Sequence, residues 1–435
     1  MRGFRDGGRG RRGLDGRSWG SLVTVAALVG AMALATLVVL PHAGVARAAG
    51  SESFVRTGHL TLSPSTLSSP GVQVDGLFGY SVANSGGTMV VGAPGETVLG
   101  HADAGRVYVY SASRGTLLAT LAAPVAQNNS DFGFSVAISG KTIVVGAPGQ
   151  NVSGVPAGTV YLFSTSGHPL ETLVSPHPQV NGFFGYSVSI SKSRVAVGAP
   201  TQTVNGQADA GNAYVFTTHG TLQLTLTSPD ALYYGNDVNG VFGKAVAISG
   251  TTLVVGAPFE ASPGGNLSGH AYVYKATNGA LLGILTSPNA QLSGQFGWSV
   301  AISGTTVAVG APAETVAPHT AAGHVYLFNA KSDALLQTLT SPTPETGGSF
   351  GYSVAVSGST AVVGAPGENA SAIFSAGNAY TFTTSGILSS TLDSLHPLLS
   401  GDFGYSVSAS GAVTVVGAPD ETASGQTQAG NVYVF

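Results

Sequence analysis

Residues 296–312 read FGWSVAISGTTVAVGAP, and close variants of this stretch occur seven times along the chain. The Phe-Gly pairs begin at Phe78, Phe132, Phe184, Phe242, Phe296, Phe350 and Phe403, at steps of 54, 52, 58, 54, 54 and 53 residues. Gly-Ala-Pro triplets follow in step, beginning at Gly92, Gly146, Gly198, Gly256, Gly310, Gly364 and Gly417. Self-similarity at this period constrains the fold more than any composition could. Each unit is one small sheet whose apolar face is covered only by its neighbours, so the 435 residues make one large array in place of two or three ordinary domains.

Within one unit the strands can be placed from elementary rules. Trp298, Val300 and Ile302 alternate with Ser299, Ala301 and Ser303, the period of two that a strand imposes. Ser303-Gly304 is a tight turn, and residues 305–311 are apolar or small on both faces, as in a strand covered from two sides. Pro312 ends that strand because it has no N–H to donate. After a variable loop, residues 324–328 (HVYLF) and 334–340 supply two more strands, closed by Ser341-Pro342. Four antiparallel strands in about 54 residues make a propeller blade. The expected fold is therefore all-β, a seven-bladed β-propeller over residues 54–435. The last unit stops at Phe435 after its third strand, and residues 54–64 (FVRTGHLTLSP) resemble the fourth strands of other units. An N-terminal strand from 54–64 is thus expected to complete the last blade and close the ring, which removes exposed sheet edges.

Composition limits what such an array can do. There is no cysteine, so disulfides, thiolate metal sites and thiol nucleophiles are excluded. Six arginines crowd the first 20 residues, an uncharged apolar run spans 22–40, and Ala46-Arg47-Ala48 follows. This is the layout of a secretory signal peptide over residues 1–48, with an uncleaved membrane anchor as the alternative and 49–53 as a linker. Removing 1–48 leaves 9 basic and 18 acidic residues, a net −9, which disfavours nucleic acid as a partner.

The motifs FGYSVA, VVGAP and GxVYVF, repeated in register, closely resemble the FG-GAP repeats of the integrin α-subunit N-terminal propeller. The resemblance implies that Phe-Gly and Gly-Ala-Pro pack between neighbouring blades. Family members that bind calcium carry an Asp-rich loop between strands one and two, whereas the corresponding turns here, from Ser85–Thr88 to Ser410–Val413, contain no carboxylate. With no anionic oxygen to gather the cation, calcium is not expected, and no other cofactor is.

Two sets of residues are candidate partner-binding sites. Tyr80, Phe134, Tyr186, Trp298, Tyr352 and Tyr405 follow their Phe-Gly pairs, with Lys244 at the seventh equivalent position. Repeat geometry puts them on a ring around the central axis. In the integrin α propeller such aromatics cup a basic side chain, which here implies a cage for a partner's cation or, alternatively, apolar filling of the channel mouth. Glu96, Glu260, Glu314, Glu368 and Glu421, with Gln150 and Gln202 at the other two positions, lie four residues after the Gly of each Gly-Ala-Pro. They form either an acidic collar on the same face or a set of local hydrogen-bond acceptors. His270 and His324 open third strands where other units carry Arg106, Thr159, Asn212, Asn378 and Asn431, so the position is expected to be exposed, and no metal site is expected there. The non-repeating stretch 230–239 (DALYYGNDVN) is a further candidate binding loop.

No catalytic constellation recurs with the partners it needs, and there is no His-Glu-x-x-His pair. The expected function is an exported, non-enzymatic interaction or adhesion module, secreted or at the cell surface, that binds an extracellular protein through its loop face. A glycan-binding lectin and an extracellular enzyme with its site over the channel mouth are the alternatives. A membrane enters only if the N-terminal segment stays uncleaved.

Overall fold

The computed structural model describes residues 64–229, 240–261 and 267–435. The signal-peptide segment, most of the 54–64 stretch and the 230–239 insertion lie outside the described residues. No helix among the described residues is long and apolar enough to cross a membrane.

The described residues form seven four-stranded antiparallel sheets and one two-stranded hairpin, Asn151–Val152 with Val155–Pro156. In the first blade β2 (Ser81–Ser85), β3 (Thr88–Ala93), β4 (Arg106–Ser111) and β5 (Leu117–Leu121) pair in chain order, β2 innermost. The fifth blade has strands Ser299–Ser303, Thr306–Ala311, His324–Asn329 and Leu335–Leu339, within a residue or two of the pattern-based reading. Second strands are buried along almost their whole length, because each is covered by a sheet on either side. Outermost strands instead show the alternating, half-exposed pattern of a sheet edge facing solvent.

Closure occurs as expected in kind but not in position. The seventh blade is built from Ser406–Ser410, Val413–Ala418 and Asn431–Val434, and its outer strand is β1, Ser65–Ser68, which pairs Ser65 with Val434 and Ser68 with Asn431. The closing strand thus follows Pro64. Two Ser-Pro pairs stand six residues apart, Ser63-Pro64 and Ser69-Pro70, and the second is the structural equivalent of the Ser-Pro that ends the other outer strands. Ser69 decides the register, since its hydroxyl reaches Glu96 Oε1 at 2.5 Å and Tyr108 at 3.2 Å.

The core is divided among seven seams, not gathered at one centre. One apolar cluster joins Val90, Val107, Val109 and Leu121 of the first blade to Phe132, Ile143, Val145, Tyr161 and Phe163 of the second. The cluster at the closing seam joins Phe78, Val91 and Tyr108 to Val415 and Val432. All seven Phe-Gly phenylalanines are fully buried, each against aromatics of its own third strand, as in Phe132 with Phe163 at 5.9 Å, edge-on.

Glycine makes that approach possible. A Cβ on Gly92 would sit 2.0 Å from the carbonyl oxygen of Gly133, and Gly133 itself has φ +94°. The same Gly-Ala-Pro glycine against Phe-Gly glycine contact recurs at every seam, ending with Gly417 against Gly79. Innermost strands are stitched across the same seams, Ser81 Oγ donating to Gly133 O at 2.7 Å and Ser406 Oγ to Gly79 O at 2.7 Å.

Candidate functional site

The two candidate sets lie on the face where the chain enters each innermost strand and leaves each second strand. They differ in burial and in what they touch.

The five glutamates are between 0% and 2% exposed. Glu421 accepts hydrogen bonds from Ser394 Oγ at 2.5 Å, Tyr433 OH at 2.6 Å and Asn431 Nδ2 at 2.9 Å. Ser394 belongs to the tail of the preceding blade, so the carboxylate clasps two blades. Glu96 takes Ser69, Tyr108 and Arg106 in the same places, the last as an ion pair at 3.0 Å. Glu314 takes Ser287, Tyr326 and His324, and Glu368 takes Tyr380 and Asn378. Gln202 keeps the scheme by using both ends of its amide: Nε2 donates to Ser175 at 2.8 Å, while Oε1 accepts from Tyr214 at 2.6 Å and Asn212 at 2.8 Å. Gln150 faces Ala123 where the others face serine, and donates to Val125 O instead.

An acidic collar is therefore not what these side chains form. Each carboxylate accepts from donors inside the seam, because a buried carboxylate without any donor would cost several kcal/mol, on the order of 3–5. Oε1 of Glu260 and of Glu368 has no partner of its own among the described residues. Burial raises the carboxyls of Glu368 and Glu421, with the serine, tyrosine and asparagine donors pulling them back down. Burial likewise raises the Tyr108 hydroxyl to about 12, so the tyrosines remain donors. His270 and His324 are only 3% and 8% exposed, contrary to the surface position expected for them. They stand 3.4 and 3.0 Å from Glu260 and Glu314, in the slot that asparagine or arginine fills elsewhere.

The aromatic set does form a ring, half-buried at every station. Centroid separations are 4.9 Å for Tyr80–Phe134, 4.8 Å for Phe134–Tyr186, 5.6 Å for Trp298–Tyr352, 5.0 Å for Tyr352–Tyr405 and 4.9 Å for Tyr405–Tyr80. Adjacent planes are tilted by 46–53°, so each ring turns a face toward its neighbour's edge. The remaining gap, between Tyr186 and Trp298, holds Lys244. Its Nζ lies 3.9 Å from the Trp298 centroid and 4.9 Å from that of Tyr186. A cation does sit among the aromatics, and it comes from the chain itself. Burial pushes the hydroxyls of Tyr80, Tyr352 and Tyr405 up, so all three are neutral.

Two recurring contacts escaped the sequence reading. Gln73 Oε1 accepts the Thr97 N–H at 2.8 Å while its Nε2 donates to Thr97 O at 3.3 Å, tying the loop before Phe-Gly to the loop after Gly-Ala-Pro. Gln127, Gln179 and Gln291 do the same to Asn151, Thr203 and Thr315. The signal was a Gln five residues before Phe-Gly, a spacing too short to read as strand pattern. The second is the seam serine described above, hidden because Ser-Pro reads only as a strand end. Among the described residues no three His, Asp or Glu side chains gather in a way that could hold a metal ion.

The chain matches the sequence model described as FG-GAP repeat over residues 66–110, 116–163, 171–216, 233–274, 282–328, 335–382 and 400–435. No curated protein matches it.

Proposed function

The chain belongs to the FG-GAP repeat family, whose propeller is a protein-interaction module in general, and from that premise we propose that this one is an exported, non-enzymatic module that docks an extracellular protein on its aromatic-rimmed face. The observation that carries the proposal is the contrast in burial on that face. The glutamates are closed off inside the seams, while six aromatics remain only half-buried together in the ring. Large aromatic side chains left partly open in a ring are the usual anchors of protein recognition, since they bring much contact area at little loss of side-chain freedom. A protein partner is favoured over a glycan because adjacent rings are tilted by 46–53° to one another, which leaves no shared flat platform for a sugar to stack on.

The test is an oxidative footprint of the full chain mixed with the envelope fraction of the producing cell. Protection should concentrate on Tyr80, Tyr186, Trp298, Tyr352 and Tyr405, while outer-strand leucines such as Leu118 and Leu282, 53% and 50% exposed, stay reactive. Protection of the outer strands with an unprotected ring would refute the docking face. Loss of protection after the envelope is stripped of protein but not of glycan would support a protein partner, and its persistence would favour the lectin alternative.

A further inference from the structure

The ring is regular except at one station, and the irregularities of the face gather there. Where six blades place an aromatic after Phe-Gly, the fourth places Lys244. Where six innermost strands begin with the serine whose hydroxyl bonds the next blade, the fourth begins with Ala245. The carbonyl of Gly297 consequently lacks the serine hydroxyl that the equivalent glycines receive, as Gly351 does from Ser299 at 2.7 Å and Gly243 from Ser187 at 2.9 Å. Phe259, in the loop after the fourth Gly-Ala-Pro, adds an edge-on contact to Trp298 at 6.4 Å.

Lys244 is held, and among the described residues no carboxylate pairs with it. Its Nζ lies over the faces of Trp298 and Tyr186, and the carboxylates that approach a basic side chain among the described residues do so at Arg106, His270 and His324. An ammonium has three N–H donors, and a π-face satisfies a donor only weakly, so a strong acceptor can still be gained. The fields of Asp131 on Tyr80, and of Asp402 and Asp420 on Tyr352, fall on other stations of the ring. A ligand carboxylate is thus drawn to the fourth station, the one that carries a cation.

Building on the docking face argued above, we propose that Lys244, between Tyr186 and Trp298, is the recognition station for a carboxylate on the protein partner, an acidic side chain or carboxy terminus flanked by an apolar group that rests on the two rings. The partner chemistry is therefore anionic, with its apolar part on the aromatics, and the ring is closed to a partner's cation because the chain's own lysine already fills that role. Like-charged Lys244 adds an electrostatic penalty to any second ammonium brought to the same rings.

Trp298 reports on this station. The chain has two tryptophans, so a full chain carrying Trp19→Phe leaves Trp298 as the sole indole. Its emission would be followed against N-acetyl-phenylalanine, N-acetyl-phenylalaninamide, phenethylammonium and glucuronate. The acid should act at about a tenfold lower concentration than the amide, the difference one charge-assisted hydrogen bond makes. Lys244→Arg should keep that preference and Lys244→Met should abolish it. Equal response to acid and amide overturns the proposal in the unaltered chain, whatever the variants do. So does a stronger response to phenethylammonium, which would restore the cation cage, or a response to glucuronate alone, which would indicate an acidic glycan. If the envelope footprint on the ring survives in Lys244→Met, the docking face stands and only the carboxylate assignment falls.

Discussion

The glutamate layer and the aromatic ring occupy the same face and repeat with the same period, yet they vary in opposite ways. Where glutamate gives way to Gln202, the replacement still accepts from Tyr214 and Asn212 and still meets Ser175. Where the aromatic gives way to Lys244, the chemistry changes from apolar to cationic. A substitution among repeats that preserves every contact marks a demand of the fold, since a buried acceptor must keep its donors. One that changes the charge marks a position the fold leaves open, and such a position is available to function.

The comparison can be broken most severely at the seams beneath both layers. Gly146→Ala puts a methyl 2.0 Å from the Gly185 carbonyl and is expected to cost more than about 4 kcal/mol or to abolish folding. Gly140→Ala, at a hairpin tip with nothing within 4 Å and φ +59°, should cost only about 1 kcal/mol in urea denaturation. Similar losses at the two would mean that the blades are not in the contact described.

The glutamate layer is next. Glu421→Ala strands the Ser394, Tyr433 and Asn431 donors and should lower stability by about 2–4 kcal/mol. Glu421→Gln should cost about 1 kcal/mol or less, because Gln202 performs the same task in the third blade. If both variants melt like the unaltered protein, the clasp contributes nothing.

A smaller effect separates the layers by pH. Burial, with the field of Asp103 added, pushes the Asp131 carboxyl up to about 7. A raised carboxyl stays protonated in the folded chain between about pH 4 and 7 while the unfolded chain has already ionised, so this group's share of stability falls as pH rises through that window. Asp131→Asn should therefore raise the melting temperature by about 2–4 °C at pH 8 and leave it unchanged near pH 4. A gain at pH 4 equal to that at pH 8 would show that charge is not the cause. Smallest of all, Lys244→Met should change stability by about 1 kcal/mol or less, the worth of a partly exposed cation–π contact. A larger loss would move Lys244 into the structural class with the glutamates.

How much of this was legible beforehand follows from which interactions are local. Hairpins such as Ser303-Gly304 and the covered strand 306–311 depend on neighbours in sequence, and they fell within a residue or two of expectation. Which Ser-Pro closes the ring depends on whether Ser63 or Ser69 meets Glu96, a contact 27 residues away for Ser69, and the strand pattern alone favoured the wrong copy. The burial of His270 and His324 was missed for a related reason. Variety at that position looked like exposure, but Arg106, Asn212, Asn378 and both histidines all reach the buried carboxylate or amide of the adjoining loop. The ring of aromatics followed from periodicity, whereas its occupation by Lys244 required knowing which way a long flexible side chain turns.

A paired measurement on Glu421→Ala and Lys244→Met would decide most directly whether the two layers do different work. Melting temperature and the Trp298 response to N-acetyl-phenylalanine would be read on each, in the Trp19→Phe chain. The expected result is a crossed one: the glutamate variant melts lower and keeps its preference for the acid, while the lysine variant melts nearly as before and loses it. Stability and acid preference falling together in either variant would contradict the separation of a structural layer from a recognition layer.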